Sequence, residues 1–534
     1  MQFYARQTQT VAQCSFASVF GDALKTLLII VLADYDRCRS VEDTRTQSSN
    51  ATSTETATEF SYGPHQAAYT IRTWPGFHGE NQNSTNTFVE HHAFAATIVT
   101  FHSLSDPQTL PSSLPASVTI AALPAVQIED LPADALRGTV LVEIIRRSLP
   151  SLRTLLLSIS STTPIAAMVP DFLCSTALPL ATELGVPAYI FFASNMNFLY
   201  LMHCLVELHD DALPGEYRDL PEPIAMPGGL SLRRADLPEG YRSSKATVYA
   251  RLLEAGRRYR LADGFLANTF SEMEPATVES FKQVAARGAF PPVFPVGPLV
   301  RSNSDEEAAG GASPLLEWLD RQPATSVVYV SFGSGGALSV EQTAELAAGL
   351  EASGHKFLWV VRMPSLDGRA QAFGAGGDDD DPLAWLPEGF QQRIEGRGLA
   401  VAAWAPQVRV LSHPATAAFV SHCGWNSTLE DAVAGVPMIA WPLHTEQSMN
   451  ALLLEESLGV ALRPRAREDG GVVAREEVAA AVKELMEGDK GRAVRRRAEE
   501  LRQAAARAVS PEGSSRRALE DVAAKWKAAL RGYM

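Results

Sequence analysis

Residues 404–447 read WAPQVRVLSHPATAAFVSHCGWNSTLEDAVAGVPMIAWPLHTEQ, and this stretch indicates the fold of the second half of the chain. Its middle predicts a strand over 417–421, a loop over 422–427 and a helix from Thr428. A loop that leads from a parallel strand into a helix presents free backbone N–H groups at the sheet edge, and such groups bind anions. The loop offers four residues to an anion: His422, Gly424, Asn426 and Ser427.

A second loop of this kind, Ser331–Gly336 (SFGSGG), lies between a predicted strand at 326–331 and a helix. Its glycines allow the backbone to approach a phosphate closely, and Ser334 adds a hydroxyl group. Each loop also has a simpler interpretation. The stretch from Ser427 to Glu430 fits a capping box, and SFGSGG fits a tight turn before a capped helix. Two such loops in one domain strengthen the prediction of an anion site.

Strands and helices alternate on both sides of the quoted segment. Further predicted strands are 94–101, 118–123, 165–169 and 188–192 in the first half, and 356–362, 399–404 and 438–441 in the second. Predicted helices are 178–184, 340–352 and 428–434. This alternation predicts an α/β fold whose parallel sheets are covered by helices on both faces.

The two ends of the chain differ in character from this α/β pattern. Residues 1–88 contain polar stretches at 41–60 and 80–87 that have neither helical nor strand periodicity, which predicts loop or disorder. Residues 301–313 are polar, acidic and glycine-containing, and we interpret them as an interdomain linker. The stretch 475–526 is rich in Ala, Arg and Glu and predicts helix.

The composition limits the classes of partner. The chain has 534 residues, enough for two domains, and a formal net charge of −15, which argues against nucleic acid or an anionic membrane as its main partner. Five cysteines without a C-x-x-C pair predict a reduced, cytoplasmic protein without a disulfide frame or zinc site. The apolar run 27–33 is too short to span a bilayer and fits a secretory signal poorly, so we expect no integral membrane segment.

Residues 404–447 resemble, over their whole length, the signature box of the plant family 1 UDP-sugar glycosyltransferases. The similarity extends over about 89–530, and Phe294–Leu299 and Val330–Gly336 are most similar to the hydroquinone (arbutin synthase-like) glucosyltransferase branch. The resemblance implies a GT-B fold, in which two Rossmann-like domains flank a cleft and a C-terminal helix crosses back to the first domain. It implies UDP-glucose as donor substrate, a small-molecule acceptor, and neither metal nor cofactor. We expect a monomer.

The resemblance also divides the chain into segments. It implies an atypical segment 1–88, an acceptor-binding domain 89–300, a UDP-sugar-binding domain 301–505 and a returning helix 506–534.

The resemblance assigns donor contacts residue by residue. Trp404 would stack on the uracil ring with Ala405 at the base edge, Gln407 and Glu430 would hold the ribose, His422, Asn426, Ser427 and Ser334 the diphosphate, and Trp425, Glu446 and Gln447 the sugar. An aromatic face for a base, a carboxylate for a diol and donors for phosphate oxygens make chemical sense. Taken singly, Trp404 also fits a core residue, Glu430 a helix cap and Gln447 a surface residue.

Met168–Phe172 (MVPDF) resembles the family motif in which an aspartate ends a strand, and Asp171 is the matching residue. The resemblance implies that Asp171 orients a histidine. That histidine takes the proton of the acceptor hydroxyl, which attacks the anomeric carbon with inversion. The local alternative is that Asp171 is only a helix cap or turn residue.

The N-terminus departs from the family pattern. The catalytic histidine of the family lies in a glycine-rich loop between the first strand and an apolar helix, and residues 1–88 contain no such segment. We therefore expect an incomplete N-terminal domain without its first strand, with an exposed sheet edge. His78, in WPGFHG, is the candidate base and His65 a weaker one, whereas His91 and His92 fall at a helix end and suit structural roles.

The sequence leads to three hypotheses about the function of the chain. The first is an O-glucosyltransferase that transfers glucose from UDP-glucose to a small phenolic or related acceptor. The second is a pseudoenzyme that binds a UDP-sugar but lacks a working base. The third is a mis-assembled chain whose N-terminus replaces that of a normal enzyme.

Overall fold

The computed structural model describes residues 28–34, 94–101, 117–128, 130–131, 137–210, 222–242, 247–300, 313–333, 335–365, 381–402, 404–466 and 471–532. The candidate bases His78 and His65, the paired His91 and His92, and the loop residue Ser334 lie outside the described residues.

The fifteen strands in these ranges are β1 Leu28–Asp34, β2 Phe94–Phe101, β3 Val118–Leu123, β4 Ile165–Pro170, β5 Tyr189–Phe192, β6 Ile224–Ala225, β7 Ser231–Leu232, β8 Gly264–Ala267, β9 Val293–Pro295, β10 Val327–Ser331, β11 Lys356–Val361, β12 Gly398–Ala402, β13 Thr416–Ser421, β14 Met438–Ala440 and β15 Ala461–Leu462.

The α-helices in the same ranges are α1 Arg137–Ser160, α2 Leu178–Leu184, α3 Met196–Asp210, α4 Thr247–Tyr259, α5 Pro275–Ala286, α6 Pro314–Asp320, α7 Val340–Ser353, α8 Phe390–Arg393, α9 Gln407–Leu411, α10 Trp425–Ala434, α11 Gln447–Leu452, α12 Arg475–Glu487, α13 Asp489–Val509 and α14 Ser514–Gly532. Within the described chain, no helix combines the length and the apolar character that crossing a bilayer requires.

The second sheet has six parallel strands in the order β12-β11-β10-β13-β14-β15. Successive side chains of β10 point to opposite faces, and both faces are buried. Val327 and Tyr329 contribute to one apolar core, whereas Val328 and Val330 contribute to the other. This explains why the strand is an uninterrupted apolar run, and the α/β prediction is confirmed for this half.

The first sheet contains β3-β2-β1-β4, and single parallel bridges from Met168 to Ala188 and from Asp171 to Phe191 connect it to β5-β8-β9. The strands β2, β3 and β5 lie where strands were predicted, whereas β8 and β9 were not predicted. The pairs β2–β3, β5–β8 and β8–β9 are parallel. Asp171 follows β4 directly and therefore lies at the carboxyl edge of this sheet.

The absence of a first strand was a wrong prediction, because Leu28–Asp34 forms β1 in the middle of the sheet. It pairs with β2 on one side and with β4 on the other, and both pairs are antiparallel. Ile29 lies opposite Pro170, so the amino end of β1 is at the edge that carries Asp171. The prediction of an all-parallel sheet therefore fails at this strand. An apolar, β-branched run satisfies the ladder hydrogen bonds of two neighbours in either direction.

The last helix, α14, packs on the first sheet. Trp526 is buried and makes edge-to-face contacts with Phe94 and Tyr189, at ring-centroid distances of 6.0 and 5.3 Å. The hydroxyl of Ser515 donates a hydrogen bond to the carbonyl of Gly297 at 2.5 Å. The end of the chain is thus fixed to the N-terminal half of the molecule.

Candidate functional site

The helix after β13 starts earlier than predicted. Helix α10 begins at Trp425 with Gly424 as its N-cap, three residues before the predicted start at Thr428. Asn426 and Ser427 therefore lie in its first turn, where backbone N–H groups have no partner within the helix. The capping-box interpretation is wrong, because Ser427 is the third helical residue rather than the cap. The loop and helix have the geometry of an anion site.

His422 connects the two glycine-rich loops. It is 6% exposed, and a Cβ atom built on Gly333 would lie 2.5 Å from its Nε2 atom. A Cβ atom on Gly424 would lie 2.4 Å from the same nitrogen. Only glycine leaves room for the ring at both positions, so the imidazole is held between the loop after β10 and the loop after β13.

A hydrogen-bonded trio lies beside the start of α10. The Nε2 atom of Gln407 donates to the hydroxyl of Ser427 at 2.8 Å and to the carboxylate of Glu430 at 2.7 Å. The hydroxyl of Tyr329 reaches the Oε1 atom of Gln407 at 3.4 Å. Three predicted site residues, far apart in the sequence, thus come together, and Tyr329 joins them. Sequence reasoning missed Tyr329 because it reads as an ordinary apolar strand residue.

Trp404 precedes Gln407 of this trio by three residues. Its side chain is 60% exposed, whereas the adjacent Ala405 is buried. The alternative that Trp404 is a core residue is therefore wrong. A large aromatic surface kept in solvent, three residues before Gln407, provides a flat platform for a planar ligand.

Trp425 has a different environment. Its side chain is 3% exposed, and the indole N–H donates to the carbonyl of Asn268 at 2.7 Å. The group that remains for a sugar contact is therefore the backbone N–H in the first turn of α10. The indole instead joins the first half of the molecule to the second.

Glu446 and Gln447 form the start of α11. Gln447 is 3% exposed, so the surface alternative is wrong, and its Oε1 atom accepts hydrogen bonds from the N–H groups of Leu443 and His444 at 2.9 and 3.0 Å. Burial raises the pKa of the Glu446 carboxyl. The preceding residue, Thr445, has a φ angle of 57°, which is unfavourable for a non-glycine residue. The segment is thus firmly shaped before any ligand arrives.

Asp171 is 4% exposed and caps the short 3₁₀ turn Phe172–Ala177. Its Oδ1 atom accepts a hydrogen bond from the N–H of Leu173 at 2.9 Å. Burial raises the pKa of the carboxyl to about 7. Among the residues that the structure describes, no histidine hydrogen-bonds to Asp171. The interpretation of Asp171 as a helix cap is therefore confirmed, and its role in orienting a histidine stays a prediction.

Comparison with known proteins agrees with this architecture. Residues 308–495 match the family model described as UDP-glucoronosyl and UDP-glucosyl transferase. The chain is 44% identical to a hydroquinone glucosyltransferase of Rauvolfia serpentina over 78% of this chain and 87% of that protein. It is 43% identical to UDP-glycosyltransferase 72B1 of Arabidopsis thaliana over 79% and 87%.

A solved structure with a similar fold is that of Phytolacca americana UGT2 complexed with UDP-2fluoro-glucose and pterostilbene. It has a TM-score of 0.68 and 41% identity, and the match covers 78% of this chain and 88% of that one. The fold and these likenesses define a GT-B glycosyltransferase. The chain belongs to the plant family 1 UDP-glycosyltransferases, in the hydroquinone glucosyltransferase-like branch.

Proposed function

We propose that this chain is an inverting O-glucosyltransferase that uses UDP-glucose and a small phenolic acceptor. The observation that carries the proposal is the hydrogen-bonded trio of Gln407, Ser427 and Glu430, together with the exposed Trp404 three residues before Gln407. Hydrogen-bonding groups next to an aromatic platform suit a nucleoside, whose base stacks while its ribose hydroxyls are held. The names of two relatives, which mention hydroquinone and pterostilbene, support a phenolic acceptor.

The remaining donor contacts extend from this trio. The diphosphate would lie at the first turn of α10, where a helix leaves backbone N–H groups without an intrahelical partner, and His422, Asn426 and Ser427 would add side-chain contacts. The sugar would lie toward Glu446 and Gln447. Ser334 would complete the diphosphate site from the other loop.

The proposed reaction is a single displacement. The acceptor oxygen forms a bond to the anomeric carbon, the bond from that carbon to the phosphate oxygen breaks, and UDP leaves with the electron pair. The hydroxyl proton passes to a base or to water. A histidine beside Asp171 would serve as that base, because the carboxylate would stabilise the imidazolium that forms.

A second candidate is a protein that binds the donor without transferring the sugar. It is favoured by Asp171, whose hydrogen bond in the described structure comes from the backbone of its own turn. The antiparallel direction of β1 also favours it, because the carboxyl end of this strand lies at the sheet edge opposite to Asp171.

Two measurements separate these candidates. Calorimetry with UDP-glucose and UDP-galactose tests the donor, and we expect glucose to be preferred because the family associates glutamine at the position of Gln447 with glucose. Incubation with a phenol and NMR of the product then tests transfer, with a β-linked glucoside as the expected result. Donor binding without product identifies the second candidate, and a clear preference for galactose refutes the glucose assignment.

A further inference from the structure

We propose that Asn450 is a positioning residue that couples the diphosphate loop to the first domain through Asn195. The inference rests on the proposed donor function, since the loop in question is 422–427. It concerns how that loop is held in its conformation. The residue to which Asn450 is hydrogen-bonded, Asn195, belongs to the first domain.

The link between the domains is a buried pair of amide side chains. The Nδ2 atom of Asn195 donates to the Oδ1 atom of Asn450 at 2.6 Å, across 255 positions of sequence. Both side chains are 0% exposed. Asn195 is also the residue before α3, and its Oδ1 atom accepts a hydrogen bond from the N–H of Phe198 at 2.7 Å. It is therefore held in place as the N-cap of a helix of the first domain.

Asn450 is hydrogen-bonded to the diphosphate loop as well as to Asn195. Its Nδ2 atom donates to the carbonyl of Cys423 at 2.9 Å. Cys423 lies between His422 and Gly424 and has a φ angle of 63°, in the left-handed region that non-glycine residues seldom adopt. Such a conformation persists only when its surroundings fix it. The amide of Asn450 is one of the groups that fix it.

Asn450 also touches the segment proposed to hold the sugar. Its N–H donates to the carbonyl of Glu446 at 3.0 Å, and a hydrogen bond from its side chain opposes the rise that burial causes in the pKa of Glu446. One residue thus contacts the diphosphate loop, the sugar segment and the first domain.

A second hydrogen bond holds the other side of the same loop. The indole N–H of Trp425 donates to the carbonyl of Asn268, a residue of the first domain. The loop is therefore tied to the first domain on both sides of Gly424. Opening the two domains breaks both ties, so the shape of the donor loop and the approach of the domains are linked equilibria.

The chain provides a matched control in Asn197. It is also buried, at 3% exposed, and lies in the first turn of α3 beside Asn195, but its side chain bonds Glu274 and Thr277, both of the first domain. Replacing it disturbs the first domain without touching the link to the donor loop.

The test measures UDP affinity by calorimetry for the wild type, Asn195→Ser, Asn450→Ala, the double variant and Asn197→Ala. Serine still caps α3 but is too short to reach Asn450, so Asn195→Ser removes the interdomain bond alone. We expect each single change to weaken UDP binding about 5- to 10-fold, the effect of one lost hydrogen bond. The double variant should be little weaker than Asn450→Ala, because both changes break one link.

Asn197→Ala should lower the melting temperature and leave UDP affinity unchanged. The inference is overturned if the wild type binds UDP and Asn195→Ser binds it equally well. It is also overturned if Asn197→Ala weakens binding as much as Asn195→Ser. A wild type that does not bind UDP refutes the proposed donor function itself, which is a different result.

Discussion

Trp404 is the residue whose role is easiest to isolate. Because its side chain is 60% exposed, removing it costs little packing in the folded protein. We predict that Trp404→Ala weakens UDP binding by about 1–3 kcal/mol, the range for the loss of one base–aromatic stack. Calorimetry measures the affinity, and the melting temperature should stay within a few degrees of the wild type.

Trp385 provides the comparison for this change. It is another partly exposed tryptophan, 37% exposed, that lies outside the proposed donor contacts. Trp385→Ala should leave UDP affinity as it is in the wild type. Equal losses in the two variants would show that Trp404 is not a platform for the base.

Asp171 predicts a pH dependence of stability. Its pKa is raised from 3.8 to about 7 by burial, so the folded protein holds a proton that the unfolded chain releases between these values. The stability that the neutral carboxyl contributes is complete below pH 4 and is lost as the pH rises through 7. Asp171→Asn keeps an oxygen for the N–H of Leu173 and never ionises.

We therefore predict that Asp171→Asn becomes more stable relative to the wild type as the pH rises from about 5 to about 8, by at most about 3 kcal/mol. Denaturation midpoints of both proteins across this range measure the gap, and other buried acids such as Glu274 cancel in the comparison. A gap that does not grow would contradict the prediction and indicate a cation, such as an imidazolium, beside the carboxylate.

At the scale of elements, local sequence patterns were sufficient to predict a strand that is buried on both faces and the helix that follows it. The predicted strand at 326–331 and helix at 340–352 agree with β10 and α7 to within one residue at each end. These elements show their period and caps in the sequence itself. The start of α10 was missed, because its N-cap is Gly424, which has no side chain to accept the capping hydrogen bond that the sequence search relies on.

The strand β1 was missed for a different reason. Its sequence, LIIVLAD, resembles any apolar run, and no local pattern indicates that its partner residues lie sixty or more positions further along the chain. Its antiparallel direction depends on the path of the chain before and after it. The same limit on prediction from local sequence applies to the candidate site. The contact between Tyr329 and Gln407 depends on how the strands pair, and no sequence motif indicates it.

The loop after β10 allows a test of how His422 is held. Gly333 has a φ angle of 69°, and its added Cβ would collide with the imidazole. We predict that Gly333→Ala displaces the ring and weakens UDP binding by about 1.5–3 kcal/mol, the range for a hydrogen bond to a charged group. Calorimetry of the variant against the wild type measures the loss.

Gly354 separates collision from backbone strain. It ends α7 with a φ angle of 75°, and a Cβ there would meet no atom within 4 Å. Gly354→Ala should therefore destabilise the fold by a similar strain, about 1 kcal/mol, and leave UDP binding unchanged. If both variants bind UDP as the wild type does, His422 does not contact the diphosphate.

At the scale of the whole molecule, the two domains share their apolar packing. Met449 and Leu452 of α11 belong to the core of the first domain, whereas Phe270 and Met273 of the first domain belong to a core of the second. The helix that begins with Gln447 is therefore part of the interface between the domains. A change on the acceptor side can reach the donor side through this packing without any direct contact to a nucleotide.

The last prediction concerns the N-terminal segment and turnover by the complete chain. Three residues of the proposed donor site, Gln407, Ser427 and Glu430, are hydrogen-bonded together. The described structure gives Asp171 no imidazole partner, and β1 runs opposite to the strands beside it. A positioned base is worth about 10²–10⁴-fold in rate. We predict that a chimera in which a relative's first strand, catalytic loop and helix replace residues 1–88 turns over faster by about that factor.

The chimera should bind UDP as tightly as the original chain, because the donor contacts are untouched. Initial rates with UDP-glucose and hydroquinone compare the two proteins, and His78→Ala in the original chain is measured beside them. Equal rates for chimera and original, with His78→Ala unchanged, would show that no base is missing. If His78→Ala abolishes the activity of the original chain while its melting temperature and UDP affinity stay unchanged, residues 1–88 supply a base of their own, because the loss then falls on turnover and not on folding or donor binding.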